Sequence, residues 1–237
     1  NTEAVTQANA VDMKGGEEAA LSSAMLDRLM LDDERIEDMA VALEEIAAQP
    51  DPVGRVLEAW TLDNGLEIEK VACPIGVIGI IYESRPNVTA DAAGLCIKSG
   101  NAALLRGGSE AINSNVALAE LLAGACERVG LPRGCVEMIG VTDRQAIQEM
   151  IRLPEYVDLM IPRGGEGLIR AVTENSQIPV LKHYRGMTQI YVDEFADVDL
   201  AVKLVHNAKI QRPGVCNAVE NLFVHVNAQE ALKAIVA

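Results

Sequence analysis

The chain has 237 residues, of which 49% are hydrophobic and 23% charged, and its formal net charge is −15. That length supports one large or two modest domains with a real core, and the composition excludes a disordered chain. The charge works against nucleic acid as a partner, and no apolar run approaches the roughly 20 residues that span a bilayer.

The acidity is uneven: 17 of the 35 acidic residues, but only 5 of the 20 basic ones, precede Val71. This reads as solvated helical surface. "LDDERIEDMAVALEEIAAQPDP", from Leu31 to Pro52, is the clearest helix. Ile36, Met39, Ala40, Leu43, Ile46 and Ala47 recur at helical spacing, Asp32 or Asp33 can cap its start, and Pro50 stops it.

From about residue 74 short β-rich runs alternate with helix-length segments. "GVIGIIY" precedes helical "NVTADAAGLCIKSG", and "AALLR" precedes "SEAINSNVALAELLAGACERVG". "CVEMIG" precedes "DRQAIQEMIRL", "VDLMIP" precedes "EGLIRAVTENS", and "IPVLK" reads as a further strand. Such alternation implies βαβ units and a Rossmann-type parallel sheet, so the fold class is α/β. Ligands of these sheets bind at the carboxyl ends of the strands, near helix N-termini.

After Gly186 the pattern restarts with "TQIYVD", helical "DVDLAVKLVHNAK", a loop, and strand "NLFVHV". The expected organisation is therefore residues 1–185, N-terminal helices and the parallel sheet, followed by residues 186–237, the beginning of a second α/β domain. About fifty residues are too few for a second independent core, so the chain is expected to be incomplete at its C-terminal end. It starts at Asn1 and not at Met, which leaves the natural N-terminus open, and it shows no signal peptide.

Five cysteines, at 73, 96, 126, 135 and 216, are odd in number and lack CxxC spacing, which suggests reduced thiols in a cytoplasmic protein. The three histidines form no metal-spaced cluster. Cys216 stands apart from the other thiols because it lies in a Pro-Gly loop, "QRPGVCNA", between a helix and a strand. An inert thiol is the default for any single cysteine.

Two strand-to-helix joints, "LLRGGSEA" and "MIPRGGEGLI", each place an arginine and a glycine pair where a phosphate can meet a helix N-terminus. Neither is the GxGxxG fingerprint, and the same glycines would serve two tight turns.

The stretches "LMLDDERIEDMA", "PDPVG", "PIGVIGIIYESRPNVTADAA", "CIKSGNAALLRGGSEAINSN", "YVDLMIPRGG", "IPVLKHYRGMTQIYVD" and "NAKIQRPGVCNAVENLFVH" occur in one collinear order. In that order the chain resembles the gamma-glutamyl phosphate reductase (glutamate-5-semialdehyde dehydrogenase) family of the aldehyde dehydrogenase superfamily. The resemblance implies an aldehyde dehydrogenase-like fold, with residues 1–185 as N-terminal helices and NADP-binding domain and residues 186–237 as the beginning of an α/β catalytic domain, and NADPH-dependent reduction of L-glutamyl 5-phosphate to L-glutamate 5-semialdehyde, the second step of proline biosynthesis from glutamate. It places the catalytic nucleophile on Cys216 and an oxyanion-stabilising amide on Asn87, which also reads as an N-cap of the helix that follows.

Further roles carry over with the motifs. The superfamily's ribose-binding segment, written KPxE, corresponds to Arg106, Gly107, Gly108 and Ser109. A serine where the acid stands would remove repulsion against the 2′-phosphate of NADP. Arg163, Gly164 and Gly165 correspond to the pyrophosphate and nicotinamide loop. Arg85 and Arg212 flank Asn87 and Cys216 and would bind an anionic substrate.

The departures are informative. Hydrolytic members of the superfamily carry a water-activating Glu in an "ELGG" segment. Here "VLKHYRGMTQ" offers no carboxylate at that place, with Lys182 and His183 nearby. Where related reductases read Gly-x-Cys-His, this chain has Gly186-Met187-Thr188-Gln189. The resemblance further implies a homo-oligomer, coupling to glutamate 5-kinase, a cytoplasmic location, and neither a metal nor a membrane.

Overall fold

A computed structural model describes residues 2–183, 186–211, 213, 215 and 217–236. The chain divides into two compact units, residues 1–182 and 183–237. The division falls three residues before the boundary read from the sequence.

The first unit opens with three helices, α1 (Thr2–Glu18), α2 (Ser23–Leu29) and α3 (Asp33–Ala48). The α3 start is fixed by Asp32, whose side chain accepts from the Arg35 N–H at 2.8 Å. A hairpin, β1 (Val56–Thr61) and β2 (Glu67–Val71), then pairs antiparallel with every β1 residue exposed. The sequence reading passed over this hairpin. Its signal is the turn "DNG" at Asp63–Gly65, where Gly65 takes a φ of 87°.

The sheet comprises β3 (Val77–Tyr82), β4 (Ala102–Arg106), β5 (Val136–Met138) and β6 (Leu159–Arg163), all parallel, in the order β5-β4-β3-β6. Helices α4 (Asn87–Lys98), α5 (Ile112–Arg128), α6 (Gln145–Met150) and α7 (Glu166–Asn175) follow the strands. "IPVLK" does not become a strand. It contributes one bridge, Val180 to Met160, because the Ser176 hydroxyl and the Ile151 carbonyl hold the preceding turn.

Alternation along β3 sorts its side chains onto two faces. Ile78, Ile80 and Tyr82 join Ala92, Ala93 and Cys96 of α4 on one side. Ile81 joins Ile147 and Met150 of α6 and Val172 of α7 on the other. A third cluster, with Val5, Leu31, Met39, Ala90 and Leu118, seats the N-terminal helices on α4 and α5.

That docking has a polar clasp. Asp12 of α1 is 4% exposed, and its carboxylate accepts from the Ser114 N–H (2.7 Å), the Ser114 hydroxyl (2.6 Å), the Asn113 N–H (3.2 Å) and the Asn113 amide (2.7 Å). These N–H groups lie in the first turn of α5, so α1 caps α5 across about a hundred residues of sequence. Asn9, one turn earlier, donates to the Leu29 carbonyl and the Ser114 hydroxyl and accepts from the Leu31 N–H.

The second unit is a single βαβ turn. Strands β7 (Gln189–Val192) and β8 (Asn221–Val224) are parallel, with α8 (Val198–Ile210) between them and α9 (Gln229–Val236) after them. Val192, Ala201, Ala228 and Ala231 form its small core, while Tyr191 and Phe223 stay exposed on the strands.

Candidate functional site

Chain order and sheet order part at β3: β4 and β5 lie on one side of it and β6 on the other. Its carboxyl end is therefore the switch point of the sheet, where a crevice opens between loops that diverge to opposite faces. Three loops meet there, after β3, β4 and β6.

Two carboxylates tie these loops together. Glu83, the residue after β3, accepts from the Gly165 N–H through Oε2 at 3.0 Å, and its own N–H donates to the Arg163 carbonyl at 3.3 Å. Glu110, in the 3-10 turn Ser109–Ala111, accepts through Oε1 from the Ser84 N–H at 2.9 Å and from the Ser84 hydroxyl. Burial alone would raise the Glu110 pKa, but hydrogen bonds from Ser84, from its own backbone and from Ser109 outweigh it, and the pKa lies below the usual carboxylate value. The sequence reading missed both residues. Glu83 directly follows β3 and Glu110 lies four residues after β4, which in the sequence alone marks neither as a loop tie.

The first glycine joint serves packing as well as any ligand. A side chain at Gly107 would collide with the Asn115 amide nitrogen, and one at Gly108 with the Glu110 carboxylate. Asn115 belongs to a buried relay in which Tyr82 and Thr89 share a hydroxyl hydrogen bond of 2.6 Å and Thr89 donates to Asn115 Oδ1 at 3.0 Å. Burial drives the Tyr82 phenol well above its ordinary pKa, so Tyr82 stays neutral.

Arg106, expected to present a cation to a phosphate, is only 7% exposed. Its Nη1 donates to the Gly107 carbonyl and its Nη2 to the Thr142 carbonyl, each at 2.9 Å, whereas Nε is buried without a partner. Desolvation lowers its pKa, partly offset by Glu110. Ser109 is exposed, its hydroxyl 3.4 Å from Glu110 Oε2.

The second joint is more open. Arg163 is exposed at the end of β6, and Gly165 precedes α7 as its N-cap residue. A Cβ on Gly164 would stand 2.7 Å from the Glu83 carboxyl carbon. The bare backbone thus leaves a cradle that already accepts an anionic oxygen, which fits a dinucleotide phosphate.

Asn87 lies at the same edge of the sheet, exposed, as the first residue of α4. It does not cap the helix. Pro86 takes the cap position with helical backbone angles, and the Asn87 amide donates to Asp91 Oδ2 at 3.2 Å, one turn on. Desolvation raises the Asp91 pKa, with the Asn87 hydrogen bond opposing it. Arg85 is exposed two residues before Asn87.

Cys216 and Arg212 lie outside the described residues. Around them, Val219 N–H donates to the Ala208 carbonyl of α8, and the Glu220 and Asn221 N–H groups both donate to the Thr188 carbonyl. The Gly186–Gln189 departure therefore runs beside the end of the cysteine loop, at the amino edge of β7 and β8. Cys96 is buried and its thiol is pushed up to about 11 by burial. Cys126 is also pushed up to about 11, by burial and then by Cys135. Among the described residues no cluster of three metal-binding side chains occurs, and no helix is long and apolar enough to cross a membrane.

A parallel sheet with helices between its strands defines an α/β protein, and the aldehyde dehydrogenase family model matches residues 7–237, so the chain belongs to that family. The family uses nicotinamide cofactors. The chain is 54% identical over 231 residues to the gamma-glutamyl phosphate reductase of Geobacter metallireducens, covering 98% of this chain and 55% of that protein. It is 56% identical over 223 residues to the enzyme of the same name from Moorella thermoacetica, covering 94% and 53%. The crystal structure of gamma-glutamyl phosphate reductase from Thermotoga maritima superposes with a TM-score of 0.91 at 48% identity, covering 99% of this chain and 57% of that one. The chain thus spans about half the length of the relatives it matches.

Proposed function

We propose that the intact protein reduces L-glutamyl 5-phosphate to L-glutamate 5-semialdehyde and phosphate with NADPH, the second step of proline biosynthesis from glutamate. The observation that carries this reading is the 54–56% identity, over 94–98% of the chain, to proteins named for that reaction.

In this reading the Cys216 thiolate attacks the acyl carbon of the acyl phosphate, the C–O bond breaks, and phosphate leaves with the electron pair. The remaining thioester is electrophilic and keeps the acyl group on the enzyme. The cofactor, when bound, supplies hydride. Collapse of the reduced adduct returns the thiolate and frees the aldehyde. Each tetrahedral adduct carries an oxyanion, and the Asn87 amide donates to it. Asp91 holds one amide hydrogen of Asn87, which leaves the other for the oxyanion.

Gly164, Gly165 and Arg163 would hold the diphosphate. Arg106, Gly107, Gly108 and Ser109 form the joint at the adenine ribose, where Ser109 stands in place of the superfamily's acid and its hydroxyl is 3.4 Å from Glu110 Oε2. NADPH is therefore preferred over NADH. With one N–H each on the carbonyls of Gly107 and Thr142 and Nε buried without a partner, Arg106 supports the joint from within the fold. Arg85 and Arg212 supply cations for the substrate's carboxylate and phosphate.

The segment "VLKHYRGMTQ" has no carboxylate to activate water against the thioester, as a phosphate-releasing reductase requires. The protein acts in the cytoplasm as a homo-oligomer, alongside the glutamate 5-kinase that makes its unstable substrate. The test is run in the oxidative direction with NADP and glutamate semialdehyde. Turnover that requires inorganic phosphate supports the reading, and turnover that requires coenzyme A, or neither acceptor, refutes it. A higher kcat/KM with NAD than with NADP would reverse the cofactor preference.

A further inference from the structure

The Glu83 carboxylate occupies the place that the dinucleotide reading gives to phosphate. Its Oε2 sits 3.0 Å from the Gly165 N–H, at the start of α7. Gly164 lies so close that a Cβ there would stand 2.7–2.9 Å from the carboxyl atoms of Glu83. The contact crosses the switch point of the sheet, from the end of β3 to the end of β6. Glu83 itself is exposed, so its side chain has solvent to swing into.

We infer that Glu83 is an internal anion seated in the phosphate cradle of α7, an autoinhibitory contact that cofactor binding must displace. The inference rests on the reading of this joint as the dinucleotide's. One N–H and one helix end cannot serve a carboxylate and a diphosphate together, because each anion repels the other at contact distance. Without cofactor, the carboxylate satisfies the Gly165 N–H and holds the β3 and β6 loops together. With cofactor, the more highly charged diphosphate takes its place. The exchange makes the contact between the β3 and β6 loops respond to occupancy, while Ser84 stays held by Glu110 and the Glu83 N–H by the Arg163 carbonyl.

The device predicts effects of opposite sign, which a plain structural brace does not. Removing Glu83 should loosen the protein without cofactor and tighten its grip on the cofactor. The test uses the intact protein, wild type, Glu83→Gln and Glu83→Ala, with calorimetric titration of NADP, inorganic pyrophosphate and adenosine 2′-monophosphate, and thermal melting without ligand. Glu83→Ala should melt below wild type yet bind NADP and pyrophosphate about 2- to 5-fold more tightly, the range expected for one exposed charge at a helix N-terminus. Glu83→Gln should tighten both by less, since its amide oxygen still accepts from Gly165. Adenosine 2′-monophosphate, which lacks the diphosphate, should bind both variants as it binds wild type. Weaker NADP binding by the variants would show Glu83 to be a brace or a ligand and would overturn the inference while leaving the cofactor site standing. Equal tightening of all three ligands would reduce it to bulk electrostatics and overturn it as well. Failure of wild type to bind NADP at all would remove the underlying reading and the inference with it.

Discussion

Replacing Asp12 by alanine should unseat the N-terminal helices from the nucleotide-binding unit. The carboxylate accepts four hydrogen bonds, two of them from the Asn113 and Ser114 N–H groups in the first turn of α5. Loss of a helix cap alone typically costs about 1 kcal/mol. Ser114 is fully buried, so its N–H loses its partner without water to replace it, which adds about 1–3 kcal/mol. The expected loss is about 3 kcal/mol in all. At roughly 2–4 °C per kcal/mol for a unit of this size, the melting temperature should fall by about 6–12 °C. Asp12→Asn keeps one accepting oxygen and should lose about half as much. Urea denaturation followed by circular dichroism measures the free energy directly. A loss below about 1 kcal/mol for Asp12→Ala would refute the view that this clasp seats α1 on α5.

Asn87→Ala should lower kcat by about 10²- to 10³-fold while leaving NADP affinity unchanged, because the amide acts on charge that develops only during reaction; steady-state kinetics with a parallel binding titration checks it. Glu110 has a depressed folded-state pKa, so its stabilisation is present above the unfolded carboxylate value and is lost as pH falls through the folded one. The stability gap between wild type and Glu110→Gln should accordingly be full at pH 7 and shrink below about pH 4.3 in acid denaturation series. Gly107→Ala forces a side chain onto the Asn115 amide and should destabilise the unit by about 1–3 kcal/mol in the same denaturation assay. Alkylation at pH 8 should spare Cys96 and Cys126, whose pKa values of about 11 leave on the order of 0.1% thiolate, and should modify exposed Cys73 and the proposed nucleophile Cys216; peptide mapping after iodoacetamide reads the order.

The architecture was legible where one residue pattern had one structural meaning. The α3 helix carried both its periodicity and its Asp32 cap in the local sequence, and each run of the parallel sheet appeared as a short apolar block closed by a turn. "IPVLK" has the same look, but the hydrogen bonds of Ser176 and Ile151 left it one bridge to Met160. The β1-β2 hairpin hid in an exposed, charged stretch with little burial on either face, so the brief alternation of Leu66 and Ile68 with Glu67 and Glu69 marked no core.

At the site the residue types were readable and their partners were not. Arg106 looks like a surface cation in "LLRGGSEA", yet the carbonyls of Gly107 and Thr142 draw it into the fold. Asn87 has the composition of a cap, but Pro86 takes the cap position and Asp91 takes the amide. Asn9 and Asp12 read as ordinary helix surface because Ser114, their common partner, is more than a hundred residues away. Glu83 and Glu110 gave no motif at all, since their meaning lies in backbone N–H groups of other loops.

The central claim is that one thiol, Cys216, carries the acyl group between phosphate and hydride. It is tested most directly by assaying the intact protein and its Cys216→Ser variant for phosphate-dependent NADP reduction with glutamate semialdehyde. The account predicts phosphate-dependent turnover in the wild type and a loss of at least about 10³-fold in the variant, with folding and NADP binding retained. Turnover in Cys216→Ser within tenfold of wild type would contradict it.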